Sequence, residues 1–143
     1  MIKGIGIDLV DKYRFKNLIK KFDNKIALKL LSDFEYSEYT NVTNKADYLS
    51  KKFAAKEALS KALGTGLYRD GIFPRDITIE HDSFGKPFFN ISNKINNKLI
   101  KKYKNLQLSI SDTNNQSIAF VIIETWVISK NTSVFQKNLT ILN

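Results

Sequence analysis

Three short stretches of the 143-residue sequence carry residue types that suit chemistry on phosphates. Asp8 ends an apolar stretch, Ile2–Ile7, that contains Gly4 and Gly6. Glu57 sits in an alanine-rich stretch between Phe53 and Lys61, and the i, i+4, i+8 spacing puts all three on one helical face. Gly64-Thr65-Gly66 follows directly. Carboxylates suit a hard ion such as Mg²⁺, and lysine and backbone N–H groups suit phosphate oxygens. Each piece also has a plain structural reading. Asp8 reads equally as a turn acid or helix cap. Glu57 and Lys61 read as a solvated pair worth about 0.3–0.5 kcal/mol. Gly-Thr-Gly reads as a helix C-cap. Phe53 on the shared face argues for a partly buried stripe, where a carboxylate needs a cationic partner. His81 reads as a strand surface residue and Gly85-Lys86-Pro87 as a turn.

The elements that must position these residues are legible as patterns. Ile2–Ile7 reads as a strand, and its two glycines suggest close approach by another backbone or a ligand. Asp11 is a candidate cap for a helix over about 12–22, with Phe15, Leu18, Ile19 and Phe22 on one apolar face. Further helices are expected at Lys25–Ser32 and, with Asp33 as cap, at Asp33–Tyr39. The strongest helix pattern is Asn44–Leu63, capped by Asn44 and closed by Gly64. Ile77–His81 and Pro87–Ile91 bracket a hairpin turn at 82–86. A polar-faced helix is expected over Asn93–Tyr103, with Ile95, Leu99 and Ile100 inward. Leu106–Ser111 and Ile118–Val127 read as antiparallel strands. The order predicts an α+β fold in one domain, a small antiparallel sheet packed with a long central helix and shorter helices. Residues 1–128 form the expected domain, and 129–143 read as a C-terminal extension.

Composition narrows the classes. The apolar fraction of 43% supports a folded core. Zero cysteines exclude disulfides, thiolate metal sites and a cysteine nucleophile, and the single histidine, His81, excludes multi-histidine metal sites. The longest apolar run, Ile118–Ile123, is too short for a membrane helix. The first residues lack the apolar run of a secretion signal, so a cytoplasmic protein is expected. The net charge of +9 points to an acidic partner, although a lysine-, asparagine- and isoleucine-rich composition accounts for part of it. A basic nucleic-acid-binding module is the alternative from a different class. It is disfavoured because the aromatics fall at core-like spacings and no arginine cluster is present.

Taken jointly, the motifs resemble the holo-[acyl-carrier-protein] synthases, a family of 4′-phosphopantetheinyl transferases. The residues that carry the resemblance are Gly4-Ile5-Gly6-Ile7-Asp8 with Arg14, Phe53-Ala54-Ala55-Lys56-Glu57-Ala58 continuing to Lys61-Ala62, and Gly64-Thr65-Gly66. Gly85-Lys86-Pro87, Ser109-Ile110-Ser111 and Ala119–Glu124 also fit, so the match spans residue 1 to about 125. The resemblance implies transfer of the phosphopantetheine arm of coenzyme A to a serine of apo acyl carrier protein, with release of adenosine 3′,5′-bisphosphate, in the service of fatty acid biosynthesis. It implies Asp8 and Glu57 as Mg²⁺ ligands and Lys61 as the lysine that binds phosphate and stabilises the leaving group. It places Gly64, Thr65, Gly66, Lys86 and Asp112 toward the coenzyme and Arg14 toward an acidic carrier, with Lys21 and Lys25 at helical spacings from Arg14 as helpers. It also implies a homotrimer whose active sites lie between subunits. Many family members have histidine where this chain has Asp112. Three roles follow for that acid: near the metal shell, as a base acting through water, or as a cap of the 112–116 loop.

Overall fold

Glycine at alternate positions of the first strand determines how the protein closes. The computed structural model describes residues 1–69, 71–95 and 103–126. In chain order these form β1 (Ile2–Asp11), α1 (Lys12–Phe22), α2 (Asn24–Leu30), α3 (Asp33–Asn41), α4 (Lys45–Leu63), β2 (Ile77–His81), β3 (Pro87–Ile91), β4 (Asn105–Asp112) and β5 (Gln116–Glu124). A 3₁₀ turn, Pro74–Asp76, precedes β2, and a helical turn, Asn93–Ile95, follows β3. Strands β1, β5 and β4 form one antiparallel sheet in that order, and β2 pairs with β3 in a separate hairpin.

Helix α4 lies across the three-stranded sheet. On the inner face of β1, a Cβ at Gly4 or Gly6 would overlap the backbone carbonyl oxygens of Ala62 and Ala58. Only glycine lets the strand come this close to the helix, which explains both glycines and the alanines facing them. Ala55, Ala58, Leu59, Ala119, Val121 and Ile123 bury the seam. The outer face of the same sheet carries Ile5, Ile7, Leu9 and Phe120, all exposed.

The architecture is the expected α+β fold, with several local differences. β1 continues to Asp11 because its pairing with β5 runs as far as Asp11 opposite Gln116, so Asp8 lies inside the strand rather than past its end. Asp11 caps α1 directly by accepting from the Tyr13 amide at 2.8 Å. α3 is capped by Ser32, not Asp33: Ser32 and Glu35 form a reciprocal capping box. The chain breaks between α1 and α2 at Asp23, which adopts φ 50°. The expected helix over Asn93–Tyr103 is seen only at its first turn; residues 96–102 and the 129–143 extension lie outside the described residues. No helix among the described residues is long and apolar enough to cross a membrane.

Candidate active site

The close β1–α4 seam brings three of the chemically marked residues together. Lys61, one turn beyond Glu57 on α4, donates to Asp8 Oδ1 at 2.8 Å and to the Ile7 carbonyl at 3.0 Å. Ser60 donates to the Glu57 carbonyl at 3.0 Å, and its hydroxyl lies 3.5 Å from Glu57 Oε2. The Arg14 guanidinium sits 5.5 Å over the Phe53 ring, and Phe53 packs against the buried Phe15. Phe53 thus packs α4 against the start of α1, and Phe53 and Glu57 are both half-buried, as the shared stripe suggested.

The electrostatics of this cluster are unbalanced. Burial and the neighbouring Asp8 charge push the Glu57 carboxyl above its ordinary value, against the opposing pull of Lys61, Ser60 and Arg14. Glu57 is half-buried and, among the described residues, has no ion pair of its own. Two carboxylates held side by side in this way are a poor structural arrangement and a good cation site. No group of three or more acidic or histidine ligands exists among the described residues. Two carboxylates nevertheless match Mg²⁺, which usually takes one or two protein carboxylates, with waters and substrate phosphates completing its shell.

The glycine loop behaves as a helix stop. Gly64 takes the left-handed conformation, φ 74°, and its amide returns to the Lys61 carbonyl. The Thr65 and Gly66 amides turn back to the Ser60 carbonyl, at 3.1 and 3.4 Å. These N–H groups cap the helix instead of forming an open cradle. Thr65 Oγ1, by contrast, is buried without a hydrogen-bond partner among the described residues, and a buried hydroxyl left unpaired is costly.

The remaining marked residues lie elsewhere in the chain. Asp112 pairs with Lys12 at 2.7 Å and Lys51 at 3.1 Å, and Asp47 completes the quartet by pairing with the same two lysines. The Lys12 and Lys51 contacts hold the Asp112 carboxyl below its ordinary range. Asp112 lines a cleft of about 450 Å³ with Lys51, His81, Gly85 and Pro87, which contains none of Asp8, Glu57 and Lys61. Lys86 reaches Gln107 at 3.4 Å from the β2–β3 turn. Arg14 and Lys21 share α1, but Lys25 lies on α2 beyond the break at Asp23, so it is not on a helical face with Arg14. Lys25 instead borders a small apolar cleft of about 160 Å³ with Phe22, Ile26 and Lys29.

Sequence reasoning missed the quartet partners Lys12, Asp47 and Lys51, and also Tyr68, whose phenol feels the Glu57 charge. It missed a buried pair as well: Lys56 donates to Glu35 at 2.5 Å and to the Leu30 carbonyl at 2.7 Å, both side chains fully enclosed. The Ser32-x-x-Glu35 spacing was the available signal for Glu35; in the quartet only the i, i+4 pair Asp47–Lys51 has a local signature. Lys12, Lys52 and Lys56 are all buried, so part of the positive charge is internal, which weakens the nucleic-acid alternative.

The fold is that of one known class of transferases. The chain belongs to the 4′-phosphopantetheinyl transferase superfamily, whose family profile matches residues 4–121. Within it the chain is similar to the holo-[acyl-carrier-protein] synthases. The protein of that name from Nitrosospira multiformis is 42% identical over 128 residues, covering 87% of this chain and 99% of that relative. The crystal structure of the Neisseria meningitidis holo-[acyl-carrier-protein] synthase superposes with a TM-score of 0.83 at 39% identity, over 87% of this chain and 100% of that one. The Bacillus anthracis enzyme, solved in complex with CoA (3′,5′-ADP), gives 0.73 at 30% identity, over 88% and 99%.

Proposed function

We infer that this chain is a holo-[acyl-carrier-protein] synthase, which transfers the 4′-phosphopantetheine group of coenzyme A to a serine of apo acyl carrier protein and releases adenosine 3′,5′-bisphosphate. The observation that carries the reading is the Asp8–Glu57–Lys61 cluster, built by a glycine-permitted seam within the region that matches the family. In the reaction the serine oxygen forms a bond to the phosphorus that carries pantetheine, and the bond from that phosphorus to the departing nucleotide oxygen breaks. Such transfers depend mainly on positioning and charge neutralisation.

Asp8 and Glu57 would hold Mg²⁺, which supplies charge neutralisation at the pyrophosphate when bound. Lys61, already at the seam, offsets charge on the departing oxygen. The serine proton passes to a carboxylate of the pair or to water. The unpaired Thr65 hydroxyl supports contact with the coenzyme, with Gly64 and Gly66 shaping the turn around it. Mass spectrometry tests the reading: apo acyl carrier protein incubated with the enzyme, coenzyme A and Mg²⁺ gains the mass of one phosphopantetheine, and the gain stops when a chelator removes the metal. An unmodified carrier under these conditions would refute it.

The assembly is a homotrimer in this reading, with active sites shared between subunits. Ile5, Ile7 and Leu9, each more than half exposed on the outer sheet face, are the support, because apolar faces of this kind are covered in stable proteins. They alternate along β1 with Gly6 and Asp8, so a second copy seated there would border the site. That arrangement would also give the Asp112 cleft and Lys86, remote from Asp8 within one protomer, a place at a neighbour's coenzyme. Sedimentation equilibrium at three times the chain mass is the expected result.

An acidic carrier, that of fatty acid biosynthesis, would dock on Arg14 and Lys21 of α1 and on Lys25 of α2, around the apolar cleft at Phe22 and Ile26. Charge complementarity acts mainly on encounter rate and falls with salt. Arg14→Glu is therefore expected to raise the carrier KM several-fold, with wild-type kcat/KM declining as salt rises; salt-independent kinetics would count against this surface. The cytoplasm is the compartment this reading assigns.

A further inference from the structure

Helix α4 is gripped from two sides. On one side the Ala58 and Ala62 carbonyls stand against Gly6 and Gly4 of β1. On the other, Lys52 and Lys56, one turn apart and both buried, reach out of the helix into the rest of the fold. Lys56 donates to Glu35 Oε2 at 2.5 Å and to the Leu30 carbonyl at 2.7 Å. Lys52 donates to the Ile79 carbonyl at 2.7 Å. Glu35 is itself fully buried and bonds further: Oε2 accepts from the Ser32 amide at 3.0 Å, and Oε1 accepts from the Ile79 amide at 2.9 Å. One ion pair thus ties the middle of α4 to the end of α2, the start of α3 and β2.

Stability alone is a poor reason for such a pair. Two charges are stripped of water, and an apolar pair of similar size is often as stable or more so. What an apolar pair lacks is direction. The bonds of Glu35 and Lys56 run to fixed backbone groups on neighbouring elements, so they set how α4 is turned about its own axis. The residue next to Lys56 is Glu57. Successive helical residues lie about 100° apart, which puts Lys56 and Ala58 on nearly opposite sides of α4. Lys56 enters the buried network, Ala58 abuts β1, and Glu57 projects from the sector between them. Lys61, one turn further in the same sector, reaches Asp8 at 2.8 Å. A rotation of α4 would carry Glu57 along the seam, away from Asp8.

We propose that Glu35 and Lys56 are positioning residues of the transferase: their buried ion pair holds α4 in the rotation that presents Glu57 beside Asp8. The proposal rests on the reading above in which those two acids share Mg²⁺. Neither Glu35 nor Lys56 touches substrate; both act through Glu57. Groups that orient a ligand from behind are commonly worth tenfold to a hundredfold in metal affinity or activity.

The test removes the charges and keeps the volume. In the double variant, Glu35→Gln with Lys56→Met, the buried pair is neutral; Glu35→Gln alone is the milder form and is read in the same way. Lys12→Met is the control, because it breaks a buried ion pair near the N-terminus of the same helix. Mn²⁺ alone is titrated into each protein and followed by electron paramagnetic resonance, at a temperature where each is folded by circular dichroism. Steady-state constants come from the carrier mass-shift assay. The double variant is expected to melt near the wild type. It should bind Mn²⁺ about tenfold more weakly and lose kcat by about tenfold to a hundredfold, with the carrier KM unchanged. Lys12→Met should melt lower and bind Mn²⁺ as the wild type does. Wild-type Mn²⁺ affinity and kcat in the folded double variant would overturn the proposal. Equal losses of Mn²⁺ affinity in the double variant and in Lys12→Met would overturn it too, since both would then report a general loosening. So would failure of both Glu35 variants to fold, which would assign the pair to stability. Glu57→Gln separates the proposal from the reading beneath it. Unchanged Mn²⁺ affinity there refutes the metal site itself, and the proposal with it; affinity lost there but kept in the double variant overturns the positioning role alone.

Discussion

Helix α4 carries an interacting pair of acids near each end, and the two are treated in opposite ways. Near its N-terminus Asp47 meets Asp112 of β4, with Lys12 and Lys51 between them: two negative charges matched by two positive ones. Lys12 is only 6% exposed, and although burial lowers its pKa, its bonds to Asp112 and Asp47 win and hold it above the ordinary value. Near the C-terminus Glu57 meets Asp8, with Lys61 committed to Asp8 and Glu57 left without an ion pair among the described residues. Its carboxyl is pushed up, where that of Asp112 is pulled down. A fold selected for stability alone would complete both pairs. The incomplete one is where a cation and a polyphosphate would be stabilised on arrival, and the complete one holds β4, α1 and α4 in register.

The sharpest way to break the contrast is to remove one charge from the unbalanced pair. Asp8→Asn and Glu57→Gln are each expected to lower transfer by more than about 10²-fold, as losses of electrostatic stabilisation at phosphoryl-transfer sites do. Glu57→Gln should unfold no earlier than the wild type, because it removes an unfavourable burial of charge. A folded Glu57→Gln enzyme working at near-wild-type rate with millimolar Mg²⁺ would erase the distinction between the two pairs.

The balanced pair should respond in the opposite sense. Asp112→Ala is expected to lower kcat by no more than about tenfold to a hundredfold, the low end of the range for a lost acid–base group. The two lysine contacts that hold Asp112 ionised make it a weak base. Asp112→His should retain activity, because imidazole can occupy a site beside two lysines in its neutral form. A well-folded, inactive Asp112→His protein would show that this acid does more than tie elements together. Lys12→Met leaves two acids facing only Lys51. Breaking a buried pair costs about 3–5 kcal/mol, but Asp47 and Asp112 keep 24% and 34% of their side-chain exposure, so about 1–3 kcal/mol is expected by urea denaturation. A stability loss with kcat nearly intact would mark Lys12 as a residue of the fold; the reverse would assign it to the site.

The sequence made the unbalanced pair legible and concealed the balanced one. Asp8, Glu57 and Lys61 fall in local patterns, a strand with two glycines and an i, i+4 helical face, and those patterns also predict the seam that joins them. Lys12, Asp47, Lys51 and Asp112 come from three elements; Asp47 and Lys51 are related by the i, i+4 spacing of α4, but only tertiary packing brings Lys12 and Asp112 to them. The strand and helix periods located all nine of the principal elements. They failed at ends where a cap or a pairing partner decides: β1 runs on to Asp11 because β5 continues opposite it, and α3 begins after Ser32 because a reciprocal capping box is stronger than a lone aspartate. The Gly-Thr-Gly turn shows a third limit. Composition reports that positive φ is available there, but not that the amides close back on Ser60.

The smallest expected effect separates the two pairs by sign. For Asp112 the folded carboxyl lies below its ordinary value of 3.8. The folded state then binds its proton more weakly than the unfolded chain, so the quartet contributes stability that is fully present above pH 3.8 and is lost as pH falls through the lowered value. For Glu57 the folded carboxyl lies above its ordinary 4.5. The folded state binds that proton more tightly, so ionised Glu57 costs stability at neutral pH, and the cost disappears as pH falls through the raised value toward 4.5. Urea denaturation of wild type, Asp112→Asn and Glu57→Gln in metal-free buffer between pH 3 and 7 resolves the two contributions. The advantage of wild type over Asp112→Asn should hold down to about pH 4 and shrink below it. The disadvantage of wild type relative to Glu57→Gln should be full at pH 7 and close before pH 4 is reached. Differences that moved in the same direction over both windows would mean that the two pairs share one electrostatic environment, and that the imbalance at Glu57 is not a property of its site.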